Sequence, residues 1–257
     1  MNYGKLKKIF FLLLAGGLLF RLISVVFTID GKTGFINPDY FASGILLSVL
    51  SLACVIAAAV MSFLCKETGT VKVKGGAVSG VLALLISGLS IVDILAMQYS
   101  SYFPTWQISV VIIMGVLNAV FFLYYAIMIV LGIKILPGLY VIPLLFSIIK
   151  LIRFFAITSS ITIITDNFFA VLYYSLAVLF MLELVSVANN ITGRAKPKIL
   201  LATGLSASML SVINSVPRII KLLSDSSAVA HESVYSLALS LVFGLFIMTI
   251  TLKTFKD

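Results

Sequence analysis

Apolar residues in this chain come in blocks of about 20, broken by short polar segments, and do not alternate with the period of two of a half-buried strand. Eight blocks stand out, near residues 9–29, 41–64, 76–97, 107–133, 138–158, 167–189, 199–220 and 234–252. In a helix each is long enough to cross a hydrocarbon core roughly 30 Å thick, and only helices or closed barrels satisfy their backbone there. The pattern predicts an all-α, polytopic transmembrane helix bundle. Lys134 to Gly138 is a short polar interruption, and Lys134 and Pro137 between two runs of adequate length predict a tight turn there. Eight spans are therefore expected instead of seven.

Composition agrees. Of 257 residues, 61% are hydrophobic and 11% charged, against about 45–50% and about 25% in soluble domains. The basic residues set an orientation. With the N-terminus inside, twelve of the eighteen Lys and Arg fall on the cytoplasmic side, from Lys5, Lys7 and Lys8 to Lys253 and Lys256, while only Lys32 and Lys221 fall outside. A multi-pass protein of the cell membrane with both termini cytoplasmic is expected. The net charge of +9 is then mostly a topology signal and does not call for nucleic acid. The start, MNYGKLKKIFFLLLAGGLLFRL, has the basic and apolar parts of a signal sequence but no small-x-small site, which predicts an uncleaved first span.

An offset of 124 residues aligns 74–94 with 198–218, so that Lys74 meets Lys198, Gly80 meets Gly204, Ser87 meets Ser211 and Ser90 meets Asn214. This predicts two parallel four-helix repeats, 1–133 and 134–257, within one integrated membrane domain. Such units would be related by an axis along the membrane normal, with a site between them.

Six ionisable residues lie inside the runs: Arg21, Asp93, Lys150, Arg153, Glu183 and Arg218. Each costs about 2.5–3.5 kcal/mol at a helix centre, so exposure of all six to lipid is not expected. At 1.5 Å per residue Lys150 lies roughly 18 Å from the cytoplasmic end of its span and Arg153 roughly 22 Å. Arg21 sits near that level, Asp93 and Arg218 approach the outer surface, and Glu183 is alone in the inner half. Four cations against two acids favour an anion site, a carboxylate, phosphate or lipid headgroup held by Arg21, Lys150, Arg153, Asn214 and Arg218. Asp93 and Glu183 are the charge-partner or coupling candidates, with Glu183 alternatively bonded to Asn189 or another polar neighbour. Lys150 and Arg153 share a face with Pro143, Phe146 and Ser147, and Gly204, Ser208, Ser211, Asn214 and Arg218 form a polar stripe expected to meet it. Pro143 and Pro217 are the hinge candidates, Pro143 being expected to bend its helix below the pair. The plainer alternative is that Arg21, Arg153 and Arg218 reach the outer headgroups, Asp93 pairs with one of these arginines, and the small residues only let helices approach.

Enzyme signatures are missing: there is no GxSxG, HExxH or Walker sequence. Catalysis, a cofactor and a metal site are not expected. His231 beside Glu232 reads as a solvated loop residue, and GKTGF at 31–35 reads as a turn. Cys54 and Cys65, eleven apart on one helix, would stand roughly 16 Å from each other, too far for a disulfide. Asn190-Ile191-Thr192 matches a glycosylation sequon but falls on the expected cytoplasmic side.

PLLFSIIKLIRFF at 143–155, followed later by VINSVPR, carries a resemblance through Pro143, Lys150, Arg153, Pro217 and Arg218. In these short motifs the chain resembles a family of uncharacterised integral membrane proteins of Gram-positive anaerobic bacteria. The resemblance implies a membrane location and no particular activity. Two functions fit the residues. One is a non-enzymatic transporter or binder of a small anionic solute or lipid headgroup. The other is a structural or sensory subunit that docks a partner membrane protein or a second copy of itself through its polar faces.

Overall fold

The computed structural model describes residues 2–30, 36–65, 75–98, 105–160, 165–191, 196–224 and 233–255. Eight helices long and apolar enough to cross a membrane follow in order: α1 (Tyr3–Ile23), α2 (Phe41–Phe63), α3 (Ala77–Gln98), α4 (Thr105–Leu131), α5 (Val141–Ser160), α6 (Thr165–Ala188), α7 (Lys196–Ser224) and α8 (Val234–Thr254). The all-α, eight-span expectation is met, and a bilayer is the environment such helices require.

The turn between α4 and α5 shows why one long helix does not form. Gly132 takes φ +69°, the left-handed conformation that suits glycine. It lets Ile133 N–H donate to Met128 O at 3.0 Å and close the end of α4. A short 3₁₀ turn, Pro137–Tyr140, then leads into α5. Asn190, with φ 56°, ends α6 in the same way, Ile191 N–H donating to Ser186 O at 3.0 Å.

α1 starts earlier than its apolar run, because Lys5, Lys7 and Lys8 extend the helix past the hydrocarbon without breaking it; Asn2 caps it by accepting from Gly4 N–H. At its other end α1 widens into a π turn over Ser24–Thr28. Lys221 of α7 reaches this end, donating to Ile29 O at 2.7 Å and Val25 O at 3.4 Å.

Both chain ends meet at one end of the bundle. Tyr3 Oη donates to Leu252 O at 3.1 Å, the Tyr3 and Phe255 rings lie 6.2 Å apart, and Lys198 reaches Phe63 O at 3.3 Å.

α7 is the central post, packed against α1, α2, α6 and α8. It is also the least apolar of the eight, with a mean hydropathy of 1.7 against 2.0–2.6 for the others. The two facts share a cause. A helix enclosed by protein does not face lipid, so Thr203, Ser206, Ser208, Ser211 and Asn214 can occupy its buried faces. Elsewhere large side chains such as Leu12, Val130, Ile152 and Phe155 point outward to the bilayer. α3, the helix that the 124-residue offset aligns with α7, has a different setting: its main neighbours are α4 and α8.

α7 and α8 approach closely because small residues face each other. A Cβ on Gly244 would collide with the Ser211 side chain, and one on Gly204 would meet Thr251 Oγ1 and Phe180. Ser211 uses this proximity to donate to Ser240 O at 2.7 Å. Gly244→Ala is expected to destabilise the bundle by about 1–3 kcal/mol through overpacking, read as a lowered thermal midpoint in detergent. Adding Ser211→Gly should restore most of that loss; a midpoint unmoved by Gly244→Ala would mean the helices are not in contact there.

Candidate functional site

α5 carries Lys150 at its middle, and α3 carries Asp93 near its C-terminal end. The Lys150 ammonium donates to Asp93 Oδ2 at 2.6 Å, with side-chain exposures of 2% and 3%. The plainer reading expected Asp93 to pair with one of the arginines; its partner is instead the lysine, the deepest of the cations by sequence position. Geometry explains the choice. Lys150 is too far from either surface for its ammonium to reach headgroups, so a carboxylate at its own level is its best available counter-charge. The charged hydrogen bond offsets the desolvation of both groups. α3 and α5 share little backbone packing, so the ion pair is the principal tie between them among the described residues.

The pair borders a cavity between α3, α4, α5, α6 and α8, lined by Ile86, Asn118, Phe146, Ser147, Lys150, Tyr173, Tyr174, Leu239, Ser240 and Phe243. Its interior admits about one water-sized occupant. Several polar groups already have partners. Tyr173 Oη donates to Ser240 O at 3.0 Å, and Tyr174 Oη shares a 2.8 Å hydrogen bond with Ser240 Oγ. Ser147 donates back to Pro143 O at 2.8 Å, and Asn118 Nδ2 donates to Ser90 Oγ at 3.1 Å. Other capacity is unused. Among the described residues Asp93 Oδ1 and Asn118 Oδ1 are buried without a hydrogen-bond partner. The ammonium has three donors; one goes to Asp93, and the Phe146 ring lies 5.6 Å from Nζ. The ion pair thus keeps open hydrogen-bonding valences beside a small cavity whose walls are mostly apolar.

The other expected site residues are placed elsewhere. Arg21 is fully buried, donates to Ser48 Oγ at 3.2 Å and lies 4.4 Å from the Phe169 ring centre, which binds it among α1, α2 and α6. Arg153 is half-buried one turn beyond Lys150, and Arg218 is buried near the outer end of α7. Both make contacts of their own. Asn214 is buried on α7 with Oδ1 unbonded among the described residues. Of the five expected anion contacts, Lys150 alone lines the cavity.

Two packing expectations are corrected. The polar stripe of α7 does not pack on the Lys150 face of α5: α7 packs on α6 and α8, α5 packs on α4 and α6, and Ser240 of α8 touches both sides, accepting from Ser211 and lining the Lys150 cavity. Pro143 sits at the third position of α5, in the first turn, where backbone N–H groups have no helical acceptor, so the reason to expect a bend below the pair disappears. Pro217 does lie inside α7 and removes a donor there.

Glu183 is half-buried in the inner half of α6, with Oε2 unbonded among the described residues. The alternative bond to Asn189 is not made, since that amide donates to Val185 O at 2.8 Å. Cys54 and Cys65 are free thiols, and no group of three metal-ligating side chains comes together among the described residues. His231, Glu232, residues 31–35, Lys66, Lys72, Lys74 and Arg194 lie outside the described residues.

Sequence reasoning missed Tyr173, Tyr174, Asn118 and Ser240 as parts of the site. A signal existed. Tyrosines concentrate at membrane interfaces, so a Tyr-Tyr pair in mid-span implies buried acceptors. Ser236, Ser240 and Gly244 recur every four residues and mark one small, polar face of α8.

Removing either partner leaves a buried charge, so Asp93→Leu or Lys150→Met alone should cost about 3–5 kcal/mol, while the double variant should recover most of the loss. Thermal unfolding in detergent reads this; additive losses would contradict a direct pair. No family model, curated protein or solved structure matches the chain.

Proposed function

We propose that the protein is a non-enzymatic membrane transporter or binder, and that the cavity beside Lys150 receives the anionic group of a small solute or lipid, a single carboxylate or phosphate. The observation that carries this reading is the state of the ion pair. At mid-depth in the bundle, Lys150 lines a small, largely apolar cavity with donor capacity to spare, and Asp93 holds it through one oxygen only. An ionisable residue inside a membrane bundle is a functional-site candidate by default. The tyrosine and serine groups supply neutral contacts that fix orientation without adding charge. The cavity's size limits the occupant, in this conformation, to something close to a water molecule or the tip of an anionic group. A larger solute requires α5 to move relative to its neighbours.

The partner-docking alternative places no demand on an enclosed cavity, and the Lys150 pair is turned inward, away from the lipid-facing surface.

Single cysteines at 146 and 147, in a background lacking Cys54 and Cys65, are expected to react with a charged thiol reagent applied to intact membranes, and added acetate should slow them. Cysteines at Ile152 and Phe155, which are 62% and 66% exposed on the outer surface of the bundle, should face lipid and stay unlabelled. Absence of labelling at both 146 and 147 would mean that the pair is sealed, and would overturn the reading.

A further inference from the structure

We infer that an anion entering this site brings one proton with it, and that Asp93 takes the proton. This rests on the anion-binding reading above.

The inference follows from charge conservation in a place that tolerates no surplus. Among the described residues Lys150 is the one charged residue lining the cavity, and its charge is matched by Asp93. Elements packed around the pair add no second cation to it. α4 has no ionisable acid or base other than Tyr124 and Tyr125 in its inner half, and α8 has Tyr235 at its outer end and Lys253 at the opposite end from the pair. α6 presents Tyr173 and Tyr174, with Asp166 in the sequence of its first turn and Glu183 toward its other end, and Glu183 does not line the cavity. α3 holds no other charge than Asp93. On α5, Arg153 is a turn away and engaged in contacts of its own.

A monoanion that takes the place of Asp93 on the ammonium therefore leaves two negative charges for one positive. An unpaired buried charge is strongly unfavourable. Protonation of the displaced carboxylate removes the surplus: the ion pair, the incoming anion and one proton become an ammonium–anion pair and a neutral carboxylic acid. No bond other than the new O–H forms. The acid gains a donor, and an acceptor waits close by. Asn118 Oδ1 is buried and unbonded among the described residues, and its amide is anchored on Ser90, one helical turn from Asp93 on the same face of α3. Asp93, in direct contact with the cation, is thus the coupling carboxylate, and Glu183 is not.

The test uses the full chain in nanodiscs of neutral lipid and titrates it with acetate or dimethyl phosphate, both monoanions across neutral pH. Heats measured in two buffers of different ionisation enthalpy give the number of protons exchanged. One proton taken up per anion is expected, with affinity weakening about tenfold per pH unit. Asp93→Asn should bind with no proton uptake and no pH dependence; should that variant fail to fold, the wild-type proton count decides alone. Binding without proton uptake would overturn the coupling and leave the anion site standing. No binding of either probe in neutral lipid would overturn both. Repeating the titration in phosphatidylglycerol nanodiscs separates the sources: loss of acetate binding there identifies the lipid headgroup as occupant, and unchanged binding identifies a soluble anion.

Discussion

An ammonium and a carboxylate held 2.6 Å apart, at the middle of one helix and near the end of another, are the constraint around which this part of the bundle is arranged. Neither group is tolerable alone in hydrocarbon. Their attraction fixes α3 relative to α5 even though the two helices have little other contact. With the charges facing inward, α4, α6 and α8 must offer the pair neutral polar surfaces, and they do so with Asn118, the two tyrosines and Ser240. Large apolar side chains dominate the outer surface of the described helices.

The pair also depends on close packing farther in. Gly204 and Gly244 let α8 lie against α7, and that contact allows Ser211 to hold the Ser240 carbonyl. Ser240 in turn anchors both tyrosines that wall the cavity. A chain of hydrogen bonds thus runs from the central post to the site. Changes on α7 can reach Lys150 without touching it.

Much of this was legible before any coordinates. Runs of apolar residues gave the eight spans, Lys134 and Pro137 gave the turn that separates α4 from α5, and the depth of Lys150 marked it as the cation least able to reach headgroups. The choice of partner was not legible. Four cations compete for Asp93 at similar depth, and which one wins depends on which helices are neighbours, a property of the whole packing. For the same reason the stripe on α7 was expected to face α5, although the low hydropathy of α7 already pointed to a helix enclosed on all sides. The tyrosines were passed over because an aromatic residue in an apolar run reads as core, and only the hydroxyl's need for a buried acceptor distinguishes it.

The central claim is that Lys150 and Asp93 form a charged pair in the resting protein. The most direct measurement is the infrared difference spectrum between wild type and Asp93→Asn in nanodiscs at neutral pH. The account predicts that the variant lacks a carboxylate stretch present in the wild type. A protonated carboxyl band in the wild type instead would mean a neutral amine facing a neutral acid, and would contradict it.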